Sequence, residues 1–131
     1  MKTEIPESHR DLFDRKSLAH LATIMPDGSP QVTPVWVSYD GKYVLVNSAR
    51  GRIKDRNMIE RPKVALNIQD PDTLYRYLLI RGTVVEHTTN GAQAHIDALL
   101  LKYTGQPSFD TPQGQVRVLY KILPEHVTTG G

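Results

Sequence analysis

Two short turn sequences, Pro26-Asp27-Gly28 and Asp40-Gly41, do most to limit what this chain can become. Each separates two apolar, β-prone runs, and each carries the residue types that close tight turns between antiparallel neighbours. Residues 19–25 precede the first turn, residues 31–39 lie between the two, and residues 43–47 follow the second. Strands joined this closely must be antiparallel, because a parallel pair needs a crossover of about a dozen residues or more. Three further segments read as strands. Residues 63–69 are bounded by Pro62 and by Asp70-Pro71, residues 75–87 are long enough to bend with Gly82 as a bulge or kink, and residues 115–122 close the set. Residues 124–131 read as a short tail. Three short helices complete the reading: residues 6–18 with Leu12, Phe13 and Leu18 inward, residues 54–61, and residues 91–103. The last places Ala92, Ile96, Leu99 or Leu100, and Tyr103 on one face. Six antiparallel strands in one small domain, residues 1–131, tend to close into a barrel, which removes exposed edges. The expected fold is therefore mainly β with short helices.

The segment Asn47-Ser48-Ala49-Arg50-Gly51-Arg52-Ile53-Lys54-Asp55-Arg56-Asn57 joins a strand to a helix and alternates cations at Arg50, Arg52, Lys54 and Arg56. Residues 50–63 hold six cations and two anions, a local charge of +4 in a chain whose total is +2. The positive excess is thus concentrated here. The first N–H groups of a helix are unpaired, and its dipole favours negative charge at that end. Arginine and lysine add charge-assisted hydrogen bonds to phosphate or carboxylate oxygens. The segment reads as a seat for an anionic ligand, a cofactor phosphate first among them; the plain alternative is a solvated basic face on a short helix.

Pro34 interrupts the otherwise regular strand of residues 31–39. Proline cannot donate to a ladder, so it belongs at an edge or a bulge. A broken ladder frees neighbouring backbone groups that could meet the polar rim of a flat ring; the plain alternative is an ordinary edge strand.

Composition excludes several classes. The chain has no cysteine, so disulfides, thiolate catalysis and cysteine metal sites are ruled out. Apolar content is 39%, and no run approaches the ~18 residues of a membrane span. No signal-peptide core precedes the first helix, and a cytoplasmic location is expected. The weak net charge argues against wrapping a nucleic acid. His9, His20, His87, His95 and His126 show no helical metal spacing and no carboxylate cluster, so no metal site is expected. Neither Ser29 nor Ser48 has a nearby histidine in sequence, and no glycine-rich dinucleotide or phosphate loop occurs.

Leu21-Ala22-Thr23-Ile24, Pro26-Asp27-Gly28-Ser29-Pro30-Gln31, Pro34-Val35-Trp36 and Arg52-Ile53-Lys54-Asp55-Arg56-Asn57 stand in an order and spacing that resembles the pyridoxamine 5′-phosphate oxidase-like split-barrel superfamily. The likeness is greatest to its flavin/deazaflavin oxidoreductase branch of probable F420-dependent enzymes, and it covers residues 10–127. It implies a six-stranded split β-barrel of the FMN-binding-protein type, dimeric, with two equivalent sites at the subunit interface. It implies that Arg52 and Lys54 contact the cofactor phosphate, with Asn47, Ser48, Ala49, Arg50 and Asn57 around it. Gln31, Thr33, Pro34, Val35 and Trp36 would lie along the flavin or deazaflavin ring. Tyr75 and Arg76 would contribute from a neighbouring region or the other subunit. The chain departs from the family pattern at Arg50 and Gly51, which thicken the basic lip; from there Arg50 could reach the acidic tail of the deazaflavin cofactor.

Hydride chemistry needs no protein nucleophile, because the cofactor carries it and the protein supplies position, electrostatics and exclusion of water. The leading expectation is an oxidoreductase that uses reduced coenzyme F420 to reduce an electron-poor double bond in a small organic substrate. FMN in the same fold, as an oxidase or reductase, is the alternative cofactor. The proton donor is open, with Tyr75 the weak candidate. A non-catalytic flavin, deazaflavin or haem-like carrier is a third reading. A single-stranded nucleic-acid barrel, using Trp36 and Tyr75 as stacking platforms, is a fourth, and the modest charge weighs against it.

Overall fold

The structure is a computed structural model, and it describes residues 4–131. A 3-10 helix, Glu7–Phe13, opens the chain, with Leu12 and Phe13 buried. The expected longer helix stops here: Asp14 and Arg15 both return their N–H to Asp11 O, and Leu18, expected inward, is 47% exposed. Strands β1 (Ala19–Ile24) and β2 (Pro30–Val35) form the first hairpin, around the turn at Asp27 and Gly28. Strand β3 (Val37–Tyr39) and strand β4 (Val44–Ala49) form the second, around Asp40 and Gly41. Then come helix α1 (Ile53–Glu60), strand β5 (Lys63–Gln69), strand β6 (Tyr77–Thr88), helix α2 (Ala92–Thr104) and strand β7 (Arg117–Gly130). Among the described residues no helix is long and apolar enough to cross a membrane.

All strands pair antiparallel in one sheet ordered β2-β1-β5-β6-β7-β4-β3. There are seven strands, not six, because the segment read as one strand over residues 31–39 breaks at Trp36. Its halves go to opposite edges of the sheet, so the sheet must curl until those edges approach. Pro34 does lie on an edge strand, where a missing donor is tolerated. The backbone at the break is not free, however. Val37 N–H donates to the Tyr103 hydroxyl, and Val37 O accepts from Lys102, so α2 side chains satisfy the groups that the ladder loses.

Inside the curl, alternate residues of each strand point to one core. Val64, Leu66 and Ile68 of β5 face Leu78 and Ile80 of β6, and Val118, Tyr120 and Ile122 of β7 continue it. Helix α2 lies against β7 and β4 through Ala92, Ile96 and Leu99, with Tyr103 half-buried on the expected face. The segment expected as a tail is instead the second half of β7. Pro124 stands opposite Gly82 at a register shift, so its lack of an N–H costs no ladder bond, and pairing resumes as far as Tyr77 and Gly130. Strand β6 begins two residues later than expected, because Asp70 accepts the N–H groups of Asp72 and Thr73 and holds that loop in a turn.

Gly82 flanks a register shift, as the sequence suggested, but the extra residue there is Glu125 of β7. A Cβ at Gly82 would lie 2.3 Å from Leu123 O, a backbone atom that cannot swing aside. Gly82→Ala is expected to destabilise the fold by about 2 kcal/mol or more, as overpacking does. Urea unfolding measures this; a midpoint equal to that of the wild type would show that β6 and β7 do not approach this closely.

Candidate functional site

Strand β4 ends at Ala49, and Arg50, Gly51 and Arg52 turn the chain into α1. Gly51 has φ +93°, a left-handed conformation that glycine adopts without strain. Arg50 N–H donates to Val116 O at 2.9 Å, tying the loop to the approach to β7. Asp55 is the loop's anchor. Its carboxylate is 1% exposed and accepts from Gly51 N–H at 2.8 Å, from Arg50 at 3.1 Å and from the Tyr120 hydroxyl. Burial, then the bond to Asp55, pushes the Tyr120 phenol far up, so it stays a proton donor. Among the described residues no side chain caps α1, so the N–H groups of its first turn have no capping partner.

Beside this loop lies a cleft of about 430 Å³. Its cations are Arg52, Lys54 and Arg117, and its walls include Leu18, Pro34, Val35, Trp36, Ile96, Leu99 and Phe109. Asn47 completes the lining, and among the described residues no carboxylate takes part. Burial first, then the charges of Arg52 and Arg117, lower the Lys54 ammonium below its ordinary range; no opposing group raises it. The cluster carries no counter-charge among the described lining residues. The wall is equally fixed. The Trp36 ring stacks on Tyr103 at 5.2 Å and 9°. The Tyr103 phenol donates to Ser17 O at 2.6 Å, and burial raises its pKa.

Six of the residues singled out in the sequence meet here: Pro34, Val35, Trp36, Asn47, Arg52 and Lys54. The others stand elsewhere in the single chain. Gln31 pairs with Thr23, and Thr33 and Ser48 bury hydroxyls that have no protein partner. Ala49 is buried in β4. Arg50 is paired through Nη1 with Asp55 and is not among the residues that line the cleft. Asn57 is 2% exposed and braces α1 on β1, donating to Thr23 and Met25 and accepting from Arg61. Tyr75 is 88% exposed and does not line the cleft. Arg76 is tied to Asp11 and Asp70. Leu18, Ile96 and Leu99 were read as inward helix positions and not as cleft walls, and Phe109 and Arg117 were not singled out at all. A charged residue between Val116 and Val118 was the one signal that could have found Arg117.

Behind the cleft runs a buried polar chain. Arg117 can only donate, so the Asn47 oxygen must face it, and the Asn47 nitrogen then donates to Ala92 O and His95 Nδ1 at 2.9 and 3.1 Å. His95 therefore carries its proton on Nε2 and donates to Ser38 Oγ at 2.9 Å. Burial first, then Lys102 and Arg117, lower the His95 pKa to about 4.

Coiled into a barrel and furnished with a cationic cleft at one strand–helix junction, the chain has the architecture of the split barrels. A family model described as pyridoxamine 5′-phosphate oxidase matches residues 5–129, and the chain belongs to that family. A solved F420 reductase is 34% identical over 95% of this chain and 98% of its own, with a TM-score of 0.84. A conserved hypothetical protein from Mycobacterium tuberculosis is 21% identical over 99% of this chain and 88% of its own, with a TM-score of 0.76. General Stress Protein 26 from Bacillus anthracis is 16% identical over 91% and 88%, with a TM-score of 0.68. The last two share the fold.

The His95 shift sets a pH dependence. Its folded pKa lies below the ordinary 6.5, so the unfolded chain takes the proton first. Stability is then complete above pH 6.5 and falls between pH 6.5 and about 4, by up to about 3 kcal/mol. His95→Gln should flatten that window in denaturant titrations, and an equally steep loss in the variant would assign the effect to other groups.

Proposed function

We propose that this protein is an oxidoreductase that seats a flavin-type cofactor in the cleft, coenzyme F420 in preference to FMN, and reduces an electron-poor double bond of a small organic substrate. The observation that carries this reading is the pairing, in one cleft, of cations that lack a carboxylate with a fixed aromatic and aliphatic wall. The 34% identity with an F420 reductase supports the choice of deazaflavin. The family match keeps FMN as the second reading.

The residues fit the group on their own chemistry. Arg52, Lys54 and the uncapped first turn of α1 would hold the phosphate. Pro34, Val35, Trp36 and Leu99 would receive the ring. When bound, the cofactor supplies the hydride. The chain's part is to orient the ring against the Trp36 wall, to neutralise the phosphate and to exclude water with Leu18, Ile96 and Phe109. No tyrosine or carboxylate lines the cleft of one chain, so a proton donor would come from solvent or from a second subunit.

That second subunit is part of the proposal. The outer sheet face around His20, Val32, Leu79 and His126 forms an apolar groove of about 380 Å³, and Asn67 Oδ1 is buried beside it without a partner. Such a face marks an interface. A twofold homodimer with sites shared between subunits is expected, as the resemblance implies, and Tyr75 and Arg76 would then approach from the partner. Light scattering at micromolar concentration should give twice the chain mass; a monomer contradicts it.

Fluorescence titration tests the cofactor. F420 should bind more tightly than FMN; equal or stronger FMN binding transfers the proposal to the second reading. Arg52→Ala and Lys54→Ala should each raise the dissociation constant at least about tenfold, the loss of one charge-assisted contact, while the ligand-free melting temperature holds. Lys63 is 67% exposed in its side chain and pairs with Glu125, so Lys63→Ala should do little. Unchanged binding in the first two variants would reduce the segment to a solvated basic face.

A further inference from the structure

Arg117 opens β7 and is only 9% exposed. A guanidinium buried this far ordinarily meets a carboxylate, because an uncompensated buried cation is costly. Here the side chains that hold it are neutral. Nε and Nη2 both donate to Asn47 Oδ1, at 2.9 and 2.7 Å, and Nη1 donates to Gln115 Oε1 at 3.2 Å. The Phe109 ring covers one face of the guanidinium, 5.0 Å from it. An arginine has five N–H donors, so these contacts leave one N–H on each terminal nitrogen.

The anchor's identity matters. Asn47 orients the guanidinium without cancelling its charge, whereas an aspartate would do both. Asn47 is itself locked, since its nitrogen is committed to Ala92 O and His95. The position is equally specific. Arg117 stands opposite Ala49 in the β4–β7 register, and the Arg50 N–H to Val116 O bond stitches this point to the loop that carries Arg52. Arg52 is near enough for its charge to weigh on Arg117, after burial.

We infer that Arg117 is a third anion-binding residue of the cleft, directed from β7 at the same cofactor phosphate as Arg52 and Lys54, and that Asn47 is the residue that positions it. The inference rests on the cofactor reading above and adds a cation from a strand far away in sequence. It also gives the buried Ser38–His95–Asn47 chain a purpose, which is to present an undiminished positive charge.

Cofactor forms with and without phosphate separate this role from a structural one. FMN is compared with riboflavin, and F420 with the same deazaflavin stripped of its phosphate arm, by fluorescence titration of the wild type, Arg117→Met and Arg117→Lys. Arg117→Met should weaken the phosphate-bearing form at least about tenfold and leave the phosphate-free form within about twofold. Arg117→Lys, which keeps the charge and loses the fork, should fall between. Equal weakening of both forms, or of neither, overturns the proposal and leaves the cofactor reading standing. A wild type that binds no form removes the cofactor reading and this proposal with it. Arg117→Gln is the second variant should Arg117→Met fail to fold. Its amide can still donate to Asn47 Oδ1 and it carries no charge, so it should weaken the phosphate-bearing form alone; undiminished phosphate-form affinity would overturn the inference.

Discussion

Closure of the sheet through a single residue governs the molecule. Strands β2 and β3 are the outermost of seven, yet only Trp36 separates them. Laid flat, seven strands would put their edges roughly 28 Å apart, six spacings of about 4.8 Å. Two Cα steps span less than about 8 Å. The sheet therefore has no flat solution. It must curl until its edges meet, and bulges such as that at Gly82 and Pro124 supply the bend. Among the described strands, β2 and β3 at this seam are chain neighbours that form no ladder with each other. Tyr103 and Lys102 of α2 fill that gap by bonding both backbone groups of Val37, and Tyr103 stacks beneath Trp36. The ring wall of the cleft is thus a by-product of closing the barrel.

Electrostatics divides the basic segment into working and structural cations. Asp55, buried in the barrel wall, engages Arg50 and pins Gly51. Arg61 turns inward to Ile24 O and Asn57, and Lys63 pairs with Glu125. Arg52 and Lys54 are left to face the cleft, where Arg117 joins them. Asp55 therefore shapes the loop and is kept out of the cleft, a separation that lets a carboxylate organise the cationic loop without neutralising the cleft. Lys102 shows the cost of a related arrangement: held by carbonyl oxygens alone, its ammonium is lowered by burial to a pKa of about 8.

The local signals in the sequence were read correctly where one element decided them. The turns at Gly28 and Gly41, the register shift at Gly82 and the inward face of α2 follow from residue type and period alone. The strand over residues 31–39 was misjudged because its pattern is continuous; only the topology of the whole sheet sends its halves apart. The end of β7 was misjudged because Pro124 reads as a terminator unless it is known to stand at a register shift. At the site, Arg52, Lys54 and Trp36 were legible because the loop and the strand break announce them. Arg117 and Phe109 were not, since their role depends on a pairing between strands about seventy residues apart. Asn57 reads as a ligand in its motif, but its burial against Thr23 is a tertiary fact.

On the proposed reading the phosphate would sit at the α1 N-terminus and the ring would lie against Trp36. Amide and indole chemical shifts, followed by NMR as F420 or FMN is added, test it most directly, because the chain has a single tryptophan. The account predicts that the largest shifts fall on the Ile53, Lys54 and Asp55 amides and on the Trp36 indole N–H. Shifts concentrated on the outer face around Val32, Leu79 and His126, with the α1 amides unmoved, would contradict it.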